Sequence, residues 1–297
     1  MPLGGSWKGT AMADLRTVLA VRPEGFRLAE VDPRGTPGLP DDKAVRKDPK
    51  KWAGEQLTAI TAELDSYQEK LYAAAKADAD GKRVLLVLQA MDCGGKDGTV
   101  RNVFRGVSPA GVRVTSFGPP DDEERQHDFL WRIRRALPPA GYLGVFNRSH
   151  YEDVLVVRVH ELVPPEVWGR RYDEINAFEE ELAAGGLTLV KVMLHISPAE
   201  QKERLLARLD DPTKHWKYNP GDVDERGRWD DYQQAYQDAL VKCSTDVAPW
   251  YVVPADRKWY RNWAVASLLR ATLADLNPQY PEPDFDLAAE RRRVQDA

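Results

Sequence analysis

Five short apolar runs recur along the chain with a helical or turn-rich stretch between them, and this alternation restricts the fold more than any other feature. The runs are Val84 to Gln89, Val112 to Phe117, Tyr142 to Asn147, Leu187 to Ser197 and Trp250 to Ala255. Each is a near-continuous row of aliphatic and aromatic residues, as in strands buried on both faces of a parallel sheet. Between them lie helical candidates: Gly98 to Arg105, Asp121 to Leu137, Asp173 to Ala184, Pro198 to Leu209 and Trp229 to Cys243. The Asp121 helix has an acidic first turn and a basic last turn, as the helix dipole favours. An amphipathic helix over Trp259 to Leu276 follows the last run. Strands alternating with helices predict an α/β fold, a doubly wound parallel sheet of five strands. Upstream, Leu57, Ile60, Leu64, Tyr67 and Leu71 recur at three- and four-residue steps, which predicts a long amphipathic helix from Trp52 to about Ala77. Asp78 to Gly81 is its expected stop.

The first fifty residues hold Pro23, Pro33, Pro37, Pro40 and Pro49 among scattered Gly and Asp. They read as an extended N-terminal arm, at best partly ordered, before a single domain over 51–297. Between the fourth and fifth strands, a long polar stretch is rich in Trp, Tyr and charges of both signs. Insertions of this length are functional lids or disordered excursions. The helical patterns on either side favour a lid over about 205–232.

Net charge is −5, from 42 Lys and Arg against 47 Asp and Glu. A global basic footprint for nucleic acid or an anionic membrane is therefore absent, and an anionic ligand must be gripped by a local cation cluster. No apolar run approaches the roughly 18 residues of a membrane helix. Two cysteines, Cys93 and Cys243, make no disulfide framework, so a reduced, cytoplasmic chain is expected.

The turn after the first strand, Ala90 to Thr99, reads AMDCGGKDGT. Its strand–turn–helix setting is that of a phosphate-binding loop. Gly94, Gly95 and Gly98 let backbone N–H groups turn inward around phosphate oxygens, and the helix N-terminus adds positive potential. Lys96 supplies a mobile point charge. The phosphate-binding set is Gly94, Gly95, Lys96, Asp97, Gly98 and Thr99. The match to a Walker A loop is imperfect: Ala90 replaces the first Gly, and Asp97 stands where Ser or Thr usually holds magnesium. The plain alternative is a tight structural turn with a solvated lysine. Asp92 argues against it, because a carboxylate beside bound phosphate is repulsive unless it holds a metal or takes a proton. The third strand ends in a second charged group, Arg148, Glu152 and Asp153, at the strand ends where such sheets bind ligands. Arg148 is a candidate to pin a phosphate; Glu152 or Asp153 is a candidate metal ligand or base.

GGKDGT, HDFLWR from His127, FNRSHYEDVL from Phe146 and WKYNPGDVDERGRWDDY from Trp216 together resemble the polyphosphate kinase 2 family. The resemblance spans roughly Trp52 to Tyr280. It implies a P-loop kinase-like core of the thymidylate kinase type with a helical lid. The implied reaction is phosphoryl transfer between inorganic polyphosphate and a nucleotide. Asp92 and Lys96 match the family's phosphate-loop pair. The second motif departs from the usual pattern: its leading Asp is Asn147, and it continues Glu152-Asp153. This variant resembles the class III branch, which acts on both nucleoside mono- and diphosphates, and Glu152 sits at a position linked to nucleotide choice. Arg204, Arg208 and Lys214 match positions that grip the phosphate chain; a solvated basic helix face is the plain alternative.

The expected enzyme therefore moves a phosphoryl group from polyphosphate to AMP and ADP, reversibly. Lys96, Asp92, Arg148 and Asp153 are the expected catalytic set, with Arg148 and Glu152 on the acceptor nucleotide. Magnesium, expected as two ions with manganese as a substitute, is placed between Asp92 and Asp153. The lid's Trp216, Tyr218 and Trp229 either stack a base or pack the lid, and His127 reads as structural. Adenine nucleotides, with guanine as an extension, are the expected partners, in a homo-oligomer resembling the family's tetramers. The alternatives are an ATP-dependent nucleotide kinase of the same fold and a non-enzymatic polyphosphate- or nucleotide-binding module.

Overall fold

The computed structural model describes residues 14–77 and 81–297. The chain forms α1 (Leu15–Leu19), α2 (Lys43–Lys47), α3 (Pro49–Lys76), β1 (Arg83–Gln89), α4 (Lys96–Val103), β2 (Val112–Ser116), α5 (Trp131–Ala136) and β3 (Leu143–Asn147). It continues through α6 (Val156–Val159), α7 (Pro165–Ala184), β4 (Leu187–His195), α8 (Pro198–Asp210), α9 (Gly221–Arg226), α10 (Trp229–Lys242), β5 (Trp250–Pro254), α11 (Lys258–Leu276) and α12 (Leu287–Gln295). The strands make one parallel sheet in the order β2-β3-β1-β4-β5. The chain leaves β1 for the far edge, returns to lay β3 beside β1, then crosses to the other side for β4 and β5. The direction of winding thus reverses around β1, and the loop after β1 occupies the crevice such a reversal opens. No helix among the described residues is long and apolar enough to cross a membrane.

Ile60, Leu64 and Leu71 of α3 are buried against the core as their spacing requires. The expected stop of this helix at residues 78–80 lies outside the described residues. Helix α11, read as amphipathic, is instead buried almost all round from Tyr260 to Leu269. One face packs on the sheet and α3 covers the other, with Trp52 against Trp263 edge to face at 5.4 Å. The helix read over Asp121 to Leu137 is also broken. Asp121 and Glu124 cap one another's backbone N–H groups and close a single short turn. The side chain of Asp128 then accepts from Leu130 N at 3.0 Å. Such local side-chain bonds compete with the helical ladder, so only Trp131–Ala136 is α-helical.

Residues 14–50 differ from the extended arm expected. Pro residues keep most of the segment irregular, but Leu15, Leu19, Val21 and Leu28 are buried in the main core. Ala20 forms an antiparallel bridge with Tyr251, and Val21 N donates to Trp250 O at 2.8 Å. The segment thereby covers the edge strand β5, whose unpaired backbone groups would otherwise face solvent.

Between β4 and α7 lies a buried polar network. Lys191 Nζ donates to Glu179 Oε2, to Tyr151 Oη at 2.9 Å and to Cys243 O at 2.6 Å. Tyr151 donates to Glu179 Oε1 at 2.9 Å, and His150 Nε2 lies 3.2 Å from the same oxygen. Both Lys191 and Glu179 are wholly buried. The network anchors His150 and Tyr151, two and three residues after Arg148. Glu179→Ala strands the Lys191 ammonium without its carboxylate and is expected to cost about 3–5 kcal/mol in denaturant melts. Replacing both partners by Leu and Met is expected to cost far less. A single-mutant cost below about 1 kcal/mol would contradict the network's role.

Candidate active site

The loop between β1 and α4 is held in a conformation that few residues adopt. Gly95 has φ +100° at the N-cap of α4, and Cys93 has φ +60° two residues earlier. A non-glycine residue at positive φ is strained by about 1–3 kcal/mol and persists only where its surroundings impose it. Here Arg204 imposes it. Its Nη1 donates to Cys93 O at 2.9 Å and Gly94 O at 3.1 Å, and its Nη2 to Ala255 O at 2.6 Å. With these carbonyls pinned, residues 92–98 of the loop and the start of α4 line a cleft of about 480 Å³. Lys96 Nζ donates to Ala90 O at 3.0 Å. Burial lowers the Lys96 pKa and Arg148 lowers it further, partly opposed by Asp92, Glu152 and Asp97. An anion in the cleft would favour the ammonium form.

Arg148 follows β3 directly and also takes positive φ, +64°. Its N–H donates to Leu88 O at 3.0 Å, stitching the end of β3 to β1. Its Nη2 donates to Asp92 Oδ1 at 2.9 Å, and its Nη1 lies 3.5 Å from Glu152 Oε2. Burial works against the guanidinium's charge, but Glu152 and Asp92 outweigh it and the net shift is upward. Asn147 Nδ2 donates to Asp97 Oδ1 at 2.8 Å. The two unusual residues therefore answer each other: an Asp at 147 would face Asp97 as a like charge, whereas the amide donates to it.

The lid closes over this floor. Arg208 on α8 donates to Lys217 O at 2.9 Å and Asp222 Oδ2 at 3.0 Å, and Lys217 Nζ lies 3.2 Å from Asp97 Oδ2. Burial opposes the charge of Asp97, but Lys217 and Asn147 hold its pKa below the usual range. Burial raises Asp222, and Asp92 adds to it. Lys217, Asn219 and Asp222 line the cleft and were not singled out from sequence. The signal was the Asn-Pro-Gly-Asp turn after Lys217, since a turn that sharp can return side chains to the floor.

Several expected site residues fall elsewhere. Thr99 is fully buried, and its hydroxyl donates to Gly95 O at 3.1 Å within the helix rather than toward the cleft. Arg204 directs its donors to the loop's carbonyls and to Glu200, so it braces the loop, and it does not line the cleft. Lys214 is half exposed, pairs with Asp211 at 2.7 Å and does not line the cleft. Asp153 pairs with Arg171 at 3.0 Å and lines a second cavity. Burial pushes its pKa up to about 6 against the pull of Arg171. The expected metal pair, Asp92 and Asp153, thus lines two different cavities. Among the described residues no group of three or more His, Cys, Asp or Glu is placed to hold a metal ion. Magnesium in such sites usually takes one or two carboxylates and completes its shell with substrate phosphates and water. Asp92 on the cleft fits an ion shared with a phosphate chain in that way. Of the lid aromatics, Trp216 is exposed, and Trp229 packs toward the N-terminal segment at residues 23–33. Tyr232 and Tyr236, unremarked in the sequence, approach Asp92, Arg148 and Glu152. His127 stacks on Trp131 at 4.0 Å, a packing role.

The second cavity, about 610 Å³, is walled by Phe117, Pro119, Phe129, Val156 and Leu162, and it meets the first at Phe117 and Arg148, with Glu152 on its own side. A cationic, backbone-lined cleft joined to an apolar cavity through one arginine is the layout of a kinase-type phosphotransferase. Comparison with known proteins gives the family: the polyphosphate kinase 2 model matches residues 49–281, and the chain belongs to that family. It is 50% identical over 265 residues to the AMP/ADP-polyphosphate phosphotransferase of Meiothermus ruber, covering 89% of this chain and 95% of the relative. It is 40% identical over 276 residues to the ADP-polyphosphate phosphotransferase of Rhodopseudomonas palustris, covering 89% and 94%. The crystal structure of polyphosphate kinase 2 from Arthrobacter aurescens TC1 superposes with a TM-score of 0.89 at 50% identity, over 96% of this chain and 98% of that one.

Lys217→Ala leaves Asp97 with less compensation in a cleft that must admit a polyanion. Both groups are partly exposed, so the KM for polyphosphate is expected to rise only about three- to tenfold. Adding Asp97→Asn should recover part of the loss. No recovery in the double variant would show that Lys217 acts elsewhere.

Proposed function

We propose that this chain transfers phosphoryl groups from inorganic polyphosphate to AMP and to ADP, giving ADP and ATP, and runs the reaction in both directions. The observation that carries the reading is the pair of cavities meeting at Arg148 and Phe117. The name of the Meiothermus ruber relative, which covers both acceptors, supports the substrate range.

In this reading the end of the polyphosphate chain lies in the cleft against the N–H groups of the loop and the N-terminus of α4. Lys96 and Arg208 face it with positive charge. The nucleoside of the acceptor enters the apolar cavity, and Arg148 holds the acceptor phosphate at the junction. Asp92 and Glu152 fix the guanidinium in advance, so little ordering is left for the moment of reaction. The bond between the terminal and penultimate phosphates of the chain breaks, and an oxygen of the acceptor phosphate forms the new P–O bond. The shortened chain leaves with the bridging oxygen's electron pair. Magnesium, or manganese in its place, would be held by Asp92 together with substrate phosphates and would supply charge neutralisation across the transferring group. The lid elements from Arg208 to Tyr232 exclude water, which would otherwise take the phosphoryl group. Guanine nucleotides, a homotetramer and a cytoplasmic location extend the same reading, checked by GMP assays, light scattering and cell fractionation.

Lys96→Ala and Asp92→Asn are each expected to lower the transfer rate by at least about a hundredfold with an unchanged circular dichroism spectrum, since removing one preorganised charge stabiliser typically has that effect. Wild-type rates in either variant would sink the assignment of the loop. The substrate range is tested with polyphosphate and AMP alone in magnesium buffer, resolving products by chromatography. ADP followed by ATP is expected. ADP turnover with inert AMP removes the monophosphate activity only. A protein that ignores polyphosphate and uses ATP as donor is the nucleotide kinase alternative.

A further inference from the structure

Arg261 on α11 lies directly beneath the phosphate loop. A Cβ on Gly95 would collide with its Nη1, and a Cβ on Gly98 would lie 3.1 Å from its Nη2. The guanidinium therefore fills the space under the first turn of α4; Gly95 is needed to let it in, and Gly98 gives it further room. The residue is only 3% exposed and does not line the cleft.

Its surroundings do not neutralise it. Nε and Nη2 donate to Asn262 Oδ1 at 3.1 and 2.8 Å, a neutral acceptor. The carboxylate that favours its charge is Glu200, and Glu200 is itself paired with Arg204 at 2.8 Å. Burial, and then the like charge of Arg204, lower the Arg261 pKa to about 10. Lys258, one helical turn earlier, is pulled down in the same way by burial and by both arginines. Arg204 shows what a satisfied guanidinium looks like here, with a carboxylate on one side and backbone carbonyls on the other. A buried cation without a dedicated counter-charge destabilises the free protein. Local rules of this kind are broken mainly where function uses the breach.

Building on the polyphosphate reading above, we infer that Arg261 is a positioning residue whose counter-charge is the bound phosphate chain itself, acting through the backbone of the loop. The charge sits behind the N–H groups that receive the phosphates and adds to the positive end of α4. Because it is shielded from water, its field reaches the cleft with little screening.

A residue that merely braced the loop would lower stability when removed and would not need its charge. Arg261 is expected to behave oppositely. The test uses the full chain and tripolyphosphate as the probe. Calorimetric titration and thermal unfolding are compared among the wild type, Arg261→Met and Arg261→Lys. The Met variant is expected to melt at or above the wild-type temperature and to bind tripolyphosphate about tenfold more weakly. The Lys variant keeps the charge and is expected to bind within about threefold of wild type. The inference is overturned if the Met variant binds like wild type, if it melts lower or fails to fold, or if the Lys variant binds as weakly as the Met variant. A wild-type protein that binds no tripolyphosphate overturns the polyphosphate reading first, and this inference with it.

Discussion

Arg148 is held by Asp92 from the loop after β1 and by Glu152 from the turn after β3. That bridge is the contact on which the rest of the site depends. It joins the two loops that leave adjacent strands at the crevice of the sheet, and it sits where the phosphate cleft opens into the apolar cavity. Positive φ at Cys93, Gly95 and Arg148 gathers around it. Neither loop would keep such a backbone alone. Arg204 clamps the first from behind, and the buried Lys191–Glu179–Tyr151 network anchors the second.

The cleft is built as alternating charge. Lys96, Arg148, Arg208 and Lys217 face Asp92, Asp97 and Asp222 across it. Ion pairs hold three of these cations at the cleft before any substrate arrives: Arg148 with Asp92, Arg208 with Asp222 and Lys217 with Asp97. A polyanion can then replace the carboxylates as partner without large side-chain movement, which limits the ordering cost of binding. The same carboxylates keep the site from being a bare basic patch, in keeping with a chain whose net charge is −5.

The sheet, the strand boundaries and the tight turn between β1 and α4 were legible because they rest on short-range patterns: buried apolar runs, glycines at a strand–helix turn, a lysine at the helix start. The misreadings share a different cause. Arg204 and Arg208 are four residues apart and looked like one basic row, yet α8 runs past the back of the loop, so the first clamps carbonyls while the second reaches the cleft. Glu152 and Asp153 are neighbours in a 3₁₀ turn, where successive side chains diverge by about 120°. Only Glu152 therefore faces Arg148, and Asp153 turns to Arg171. Contacts such as Lys217 with Asp97, or Arg261 under Gly95, join residues more than a hundred positions apart, and no local pattern announces them. The N-terminal segment was obscured by its prolines, which break regular structure without preventing Leu15, Leu19 and Leu28 from being buried.

The central claim is that donor chain and acceptor nucleotide occupy separate spaces that meet at Arg148. It is tested most directly by calorimetry with AMP and tripolyphosphate, each titrated alone and then into protein saturated with the other. The account expects one molecule of each to bind at the same time, with neither affinity falling by more than about threefold, a shift under about 0.7 kcal/mol. Mutual exclusion, with saturating tripolyphosphate abolishing the AMP signal, would mean that both ligands compete for one site and would contradict the two-cavity arrangement.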